Sequence, residues 1–158
     1  MSFINKSKKI DSKNKNKTLI CFSTGKSFIS TFNKTLTSQG CDPSGKFSII
    51  THGWTENIKR HWVPDLISNL TFFRGGCVIF MDYYTFSKNP YYFAMVVQFA
   101  NISNVLLNKL KQLEKEGIQD DNLFLFGFSF GARLVFDAGI NFGVQRIKYI
   151  DGNDNEFK

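Results

Sequence analysis

Four short runs limit what this chain can fold into. FSIIT (47–51), CVIFM (77–81), LFLF (123–126) and RIKYI (146–150) each have the length of a strand, and helix-like segments separate them. The first three carry apolar residues almost without interruption, the pattern of strands covered on both faces. Strands of this kind alternating with helices predict a mostly parallel sheet with helices on both faces, an α/β fold. Ligand sites in such sheets lie beyond the carboxyl ends of the strands. His52, Asp82, Ser129 and Asp151 fall at those ends.

The segments between the runs complete the outline. TLICF (18–22) reads as a further short strand, while residues 23–46 are polar and turn-rich, with GCDPSG at 40–45 as the strongest breaker. Residues 55–70 have helical character, with Trp62, Leu66 and Leu70 on one face. A long helix is predicted from Asn89-Pro90 to Gly117, with Phe93, Val96, Val97, Ala100, Leu107 and Leu110 at helical spacing. A last helix follows Ser129 and runs to about Ala138.

The 158 residues suit one domain, expected at 18–158 behind a disordered tail. That tail, residues 1–17, holds six Lys and one Asp, so five of the seven excess positive charges sit there. The folded body is not notably basic, and no nucleic-acid partner is expected. Cys21, Cys41 and Cys77 lack metal-ligand spacing; one disulfide is compatible with them, and its pairing is open. No metal or cofactor is expected. Neither a signal-peptide apolar region nor a run long enough to span a bilayer is visible. Gly25-Lys26-Ser27 is not a phosphate loop, because position 20 is Ile where a Gly is required.

The chemistry centres on GFSFG, residues 127–131, between LFLF and the helix-like ARLVFDAG. G-x-S-x-G between a strand and a helix is the nucleophile-elbow arrangement, with Ser129 as nucleophile. Gly127 and Gly131 remove side chains that would clash in so sharp a turn. The amide of Phe130, at the start of the helix, is one oxyanion donor. His52-Gly53-Trp54 follows an earlier strand and supplies the second, the Trp54 amide. His52 itself reads as a buried strand-end residue rather than a base. Asp151 ends the first strand after the elbow and fits the acid of a Ser…acid…His order, whereas Asp82 precedes the serine and suits a structural role.

FSIITHGWTENIKRHW, CVIFMDY, the long helix, LFLFGFSFGARL and RIKYID occur in this order. Over residues 18–151 the chain resembles the pancreatic-lipase-like family of animal neutral lipases, insect members in particular. The resemblance implies an α/β-hydrolase fold and a secreted esterase acting on triacylglycerol or phospholipid, with a lipid ester or lipid surface as partner. It implies Ser129 as nucleophile, Asp151 as acid, and Trp54 and Phe130 as oxyanion-hole residues.

The sequence departs from the family in three places. Phe128 and Phe130 flank the serine where the family has His and Leu, and the tail stands where a signal peptide is expected. After Asp151 the chain reads GNDNEFK, and its histidines are His52 and His61, the latter expected on a helix surface. A serine hydroxyl is a weak nucleophile without a neighbouring base. The expectation is therefore a hydrolase sheet cut short after its acid-bearing strand, with little turnover of its own. The alternative is a non-catalytic lipid-binding or yolk-type storage protein on the same fold.

Overall fold

The computed structural model of the chain describes residues 18–23, 26–31, 35–143 and 145–153, with the backbone alone for the first two segments. The tail expected at 1–17 lies outside the described residues. Among the described residues one sheet contains β1 (Thr18–Ser23), β2 (Lys26–Thr31), β3 (Phe47–Thr51), β4 (Cys77–Asp82), β5 (Leu123–Phe128) and β6 (Tyr149–Asn153). Their order is β2-β1-β4-β3-β5-β6. Strands β4, β3, β5 and β6 are parallel, while β1 lies antiparallel on β4 and β2 antiparallel on β1. The α/β expectation holds.

Alternate residues of the buried strands feed two cores. Helix α1 (Trp62–Asn69) packs Val63 and Ile67 against Ile50, Val78 and Phe80 on one face. Helices α4 (Phe99–Lys115) and α5 (Phe130–Gly143) cover the other, where Ile102, Leu106, Leu110, Leu134 and Val135 meet Phe47, Ile49, Ile79, Leu123 and Leu125. All five residues of β3 are buried. Each apolar side chain so buried contributes about 1.5–3 kcal/mol, which is why the uninterrupted runs become central strands.

Several boundaries differ from the sequence-based reading. The polar stretch 23–46 contains β2, whose KSFIST offers no apolar run to recognise. Residues 55–61 form turns rather than helix, because Asn57 Oδ1 accepts the Lys59 amide at 2.8 Å and competes with helical bonding. α1 therefore starts at Trp62 and leaves through a π-helical turn, Leu70–Arg74. The long helix is interrupted at Gln98. Before α4 stand two short helices, α2 (Tyr84–Ser87) and α3 (Tyr92–Val97). Phe93, Val96, Val97 and Ala100 face outward, while Met95, Ile102, Val105, Leu106 and Leu110 face the core. α5 continues past Ala138 to Gly143. β6 starts three residues later than expected and runs on to Asn153. Arg146, bonded by Nε to Asp120 at 2.8 Å and also paired with Glu114, is held in the turn before it.

Cys41 and Cys77 form a disulfide, both nearly inaccessible at 3% and 2% exposure. It ties the segment before β3 to the first residue of β4, closing 36 residues of sequence separation. In the chain-entropy account a closure of that length stabilises the fold by about 3–4 kcal/mol. Replacing both cysteines by Ser is expected to lower unfolding stability by about that amount. Urea denaturation of the double variant against wild type, each with and without reductant, measures it; reductant should move only the wild type.

Candidate active site

Ser129 is the single residue between the end of β5 and the start of α5. Its φ is +52°, in the left-handed region. That backbone costs a residue with a Cβ about 1–2 kcal/mol. Two hydrogen bonds hold it there. The Ser129 amide donates to the Asn153 carbonyl on β6 at 2.7 Å, and the Ser129 carbonyl accepts from the Ala132 amide at 2.8 Å. A Cβ on Gly127 would lie 2.3 Å from the Gly131 carbonyl oxygen, and one on Gly131 would lie 2.5 Å from that of His52. Both glycines are thus required by close backbone approach. The Gly131 contact is also what brings the end of β3 against the elbow.

The loop after β3 is held from several sides. His52 is fully buried, stacked on Tyr83 with ring centroids 4.0 Å apart. Its Nδ1 is 2.8 Å from the Gly53 carbonyl oxygen, which only accepts, so Nδ1 carries the proton. Nε2 accepts from the Tyr83 amide at 3.2 Å. Asp82 Oδ1 approaches Nε2 to 3.3 Å, a distance that would suit an ion pair. The two other bonds define a neutral ring, so this contact is not one; Asp82 Oδ1 instead accepts the Tyr84 amide at 2.9 Å. The Tyr83 hydroxyl donates to the His52 carbonyl. Burial holds that hydroxyl well above its ordinary ionisation range, with the Glu56, Asp82 and Tyr92 charges adding to the effect.

Glu56 was not singled out by the sequence, and it is the residue on which this loop turns. It is buried at 9% exposure. Its Oε2 accepts the Gly53 amide at 2.9 Å and its Oε1 the Trp62 indole at 3.1 Å. The Glu56 amide in turn donates to the Gly53 carbonyl at 3.3 Å. This reciprocal pair closes the 53–56 turn through both the backbone and the Glu56 side chain. The Gly53 carbonyl therefore receives hydrogen bonds from both His52 and Glu56. In a trans peptide the N–H points opposite to the C=O, so the Trp54 amide is turned away from both. Neither the Trp54 nor the Phe130 amide has a partner among the described residues. A Cβ on Gly53 would lie 3.1 Å from Ser129 Cβ, so this loop and the elbow are in contact. The Trp54 ring is fixed by its Nε1 on the Asn89 carbonyl at 2.7 Å and by Tyr92, edge-on at 5.3 Å. Tyr92 in turn meets the buried Phe130 ring edge-on.

Asp151 stands apart from this group. It lies inside β6 rather than at its end, exposed, and in register with Phe126. Asn153, level with Phe128, is the β6 residue that reaches the elbow. Asp151 is two residues earlier, about 7 Å along the strand. No described residue hydrogen-bonds its carboxylate. His61 is exposed just before α1, and the ring nitrogens of His52 are both engaged. Among the described residues no cluster of His, Cys, Asp or Glu has metal-binding geometry.

The family model described as Lipase matches residues 5–158 of the chain. Comparison with curated proteins finds no match.

Two outcomes follow from the loop. Glu56→Ala leaves the Gly53 and Trp62 N–H groups without their acceptor and is expected to lower stability by about 1–3 kcal/mol; Glu56→Gln, which keeps one acceptor oxygen, falls between it and wild type in urea denaturation. Tyr83 has its folded value raised above the ordinary 10.0. Its stabilising contribution is complete below that value and is lost as the unfolded hydroxyl ionises above it. Stability measured across the alkaline range should therefore fall above about pH 10, and fall less in Tyr83→Phe.

Proposed function

The chain belongs to the lipase family, and we propose that it acts on lipid esters as a serine-dependent carboxylic ester hydrolase, residues 18–158 forming the part of the domain that carries the nucleophile. The observation carrying this reading is the left-handed backbone of Ser129 at a one-residue strand-to-helix turn, with the Gly53 loop against it. A serine turned out of a strand in this way presents its hydroxyl beside the first amides of α5, where the helix dipole favours negative charge.

In the proposed reaction Ser129 Oγ attacks the ester carbonyl carbon. Its hydroxyl proton passes to a base, and the carbonyl oxygen becomes an oxyanion. The Phe130 amide and the outward-turned Trp54 amide are the donors for that oxyanion. The alcohol then leaves with a proton, and water hydrolyses the acyl-serine. One lost oxyanion donor in such sites slows turnover about 10²–10³-fold. Asp151, by its position in RIKYID, is the acid in this reading; it lies on β6 two residues before Asn153, whose carbonyl holds the Ser129 amide.

Among the described residues no histidine is placed as a base for Ser129. Both nitrogens of His52 are committed to the loop, and His61 is exposed before α1. These 158 residues therefore bind and polarise an ester better than they deprotonate Ser129, and hydrolysis by them alone is expected to be weak. The second reading is a lipid-binding protein on a lipase fold without turnover. The Cys41–Cys77 bridge supports an oxidising, extracellular setting for either. Among the described residues no helix is long and apolar enough to cross a membrane. Triacylglycerol and phospholipid are both compatible with the site.

Chemical rescue separates the two readings. A fluorophosphonate probe is expected to label wild-type protein slowly, faster as free imidazole is added in place of the absent base, and not to label Ser129→Ala. Peptide mass mapping locates the adduct. If folded wild type stays unlabelled even with imidazole, the hydrolase reading fails and the binding reading stands.

A further inference from the structure

Phe72 and Phe73 are the most exposed large apolar side chains among the described residues, at 81% and 79%, and meet edge-to-face with ring centroids 4.9 Å apart. They sit in the π-helical turn Leu70–Arg74, and neither belongs to the cores on the two faces of the sheet. A pair of rings left in water marks a surface that something else covers. Asn69, the last residue of α1, stands three positions before Phe72 and four before Phe73. It opens Asn69-Leu70-Thr71, an Asn-x-Thr acceptor for N-linked sugar.

We propose that Asn69 carries an N-linked glycan and that its first N-acetylglucosamine lies on the Phe72–Phe73 pair. The spacing selects that occupant. Residues three and four apart share one face of a helix, and helical side chains lean toward the turn before their own Cα. The π-helical turn continues α1 without a break, since Leu70 keeps helical backbone angles. Phe72 and Phe73 are therefore directed back over position 69. A pyranose presents C–H bonds on its face, and the electron-rich face of an aromatic ring attracts them. Asn69 is also available: it is exposed, and no described residue hydrogen-bonds its side-chain amide. The Cys41–Cys77 bridge supports passage through an oxidising compartment, where such sugars are attached.

The donor is a polyprenyl-diphosphate-linked oligosaccharide. Asn69 Nδ2 forms a bond to the anomeric carbon, the bond from that carbon to the phosphate oxygen breaks, the diphosphate leaves with its electron pair, and the amide gives up one proton. In the folded protein Thr71 Oγ1 donates to the Ile67 carbonyl at 2.7 Å. The hydroxyl that the motif requires is then engaged, so attachment precedes closure of this turn. The other sequon among the described residues, Asn101-Ile102-Ser103, has no rings beside it: at the same spacings stand Asn104, which is polar, and Val105, which is buried. Asn101 Nδ2 is also engaged, donating to Gln98 Oε1 at 3.0 Å. The π-helical turn lies before the first residue of β4, at the end of the parallel strands opposite Ser129. A glycan there leaves the Ser129 site open, and the proposal does not depend on hydrolysis.

The test is site occupancy in the full chain, routed by an appended cleavable leader through the secretory pathway of mammalian cells. Peptide-N-glycosidase in heavy-oxygen water converts each glycosylated Asn to labelled Asp, and peptide mass mapping reads the label. The Asn69 peptide is expected to carry it in wild type and in Thr71→Ser, and to lack it in Thr71→Ala. Occupancy is read on cell-retained as well as secreted protein, so a variant that fails to fold is still scored. Unlabelled Asn69 in wild type overturns the proposal. A double-mutant cycle in urea denaturation reads the contact with the rings. Asn69→Gln is expected to lower the folding equilibrium constant about fivefold, the size of an aromatic contact, and to change nothing in a Phe72→Ser/Phe73→Ser background. Equal losses in the two backgrounds overturn the cover assigned to the rings. If Asn69→Gln is retained in cells, release of the protein on also replacing the two Phe supports that cover, and continued retention counts against it.

Discussion

Around Ser129 the carboxyl end of β3, the loop after it and the first turn of α5 meet in close backbone approach, joined by the Thr51 hydroxyl, which donates to the Gly131 carbonyl at 2.9 Å. Gly53, Gly127 and Gly131 make that meeting sterically possible, and a methyl group at 127 or 131 would collide with backbone that cannot move aside. Everything proposed for the site depends on that closeness. It sets the left-handed serine, and it brings the loop that turns the Trp54 amide outward to the side of the amide that begins α5. The strain at Ser129 is offset by the surrounding sheet, through the Asn153 carbonyl on β6.

A second layer of order lies behind that contact. Tyr83, His52, Gly53 and Glu56 form a closed set of hydrogen bonds in which each buried polar group has a partner. Such networks are worth most when complete, since any member left unpaired in a buried place carries its full desolvation cost. Tyr83 and Glu56 thereby hold His52 and Gly53 as one rigid element. The network also engages both ring nitrogens of His52 within the scaffold.

How much of this was legible in the sequence depended on whether the signal was local. FSIIT, CVIFM and LFLF became β3, β4 and β5 because strands covered on both faces are mostly apolar. GFSFG was legible because the turn geometry dictates the glycines. β2 was missed, since pairing with β1 supplies what its own residues do not advertise. The stripe at 93, 96 and 97 was read correctly as helical, but periodicity cannot say which of two faces meets the core, and Met95 took that place. Glu56 carries no pattern of its own: it matters through Gly53 and Trp62, three and six residues away, in a turn where a helix had been expected. The Cys41–Cys77 pairing needed the three-dimensional course of the chain.

That bridge also changes what the segment between its ends is, topologically. Residues 41–77 form a covalent ring that contains β3, the Gly53–Glu56 turn and α1. Lys59, Arg60 and His61 form the exposed outer bend of this ring. A protease that cuts there opens the ring without releasing a piece: the two resulting polypeptides stay joined at Cys41 and Cys77, and the loop beside Ser129 remains attached to both β3 and the sheet. Cleavage at that exposed bend therefore need not dismantle the site.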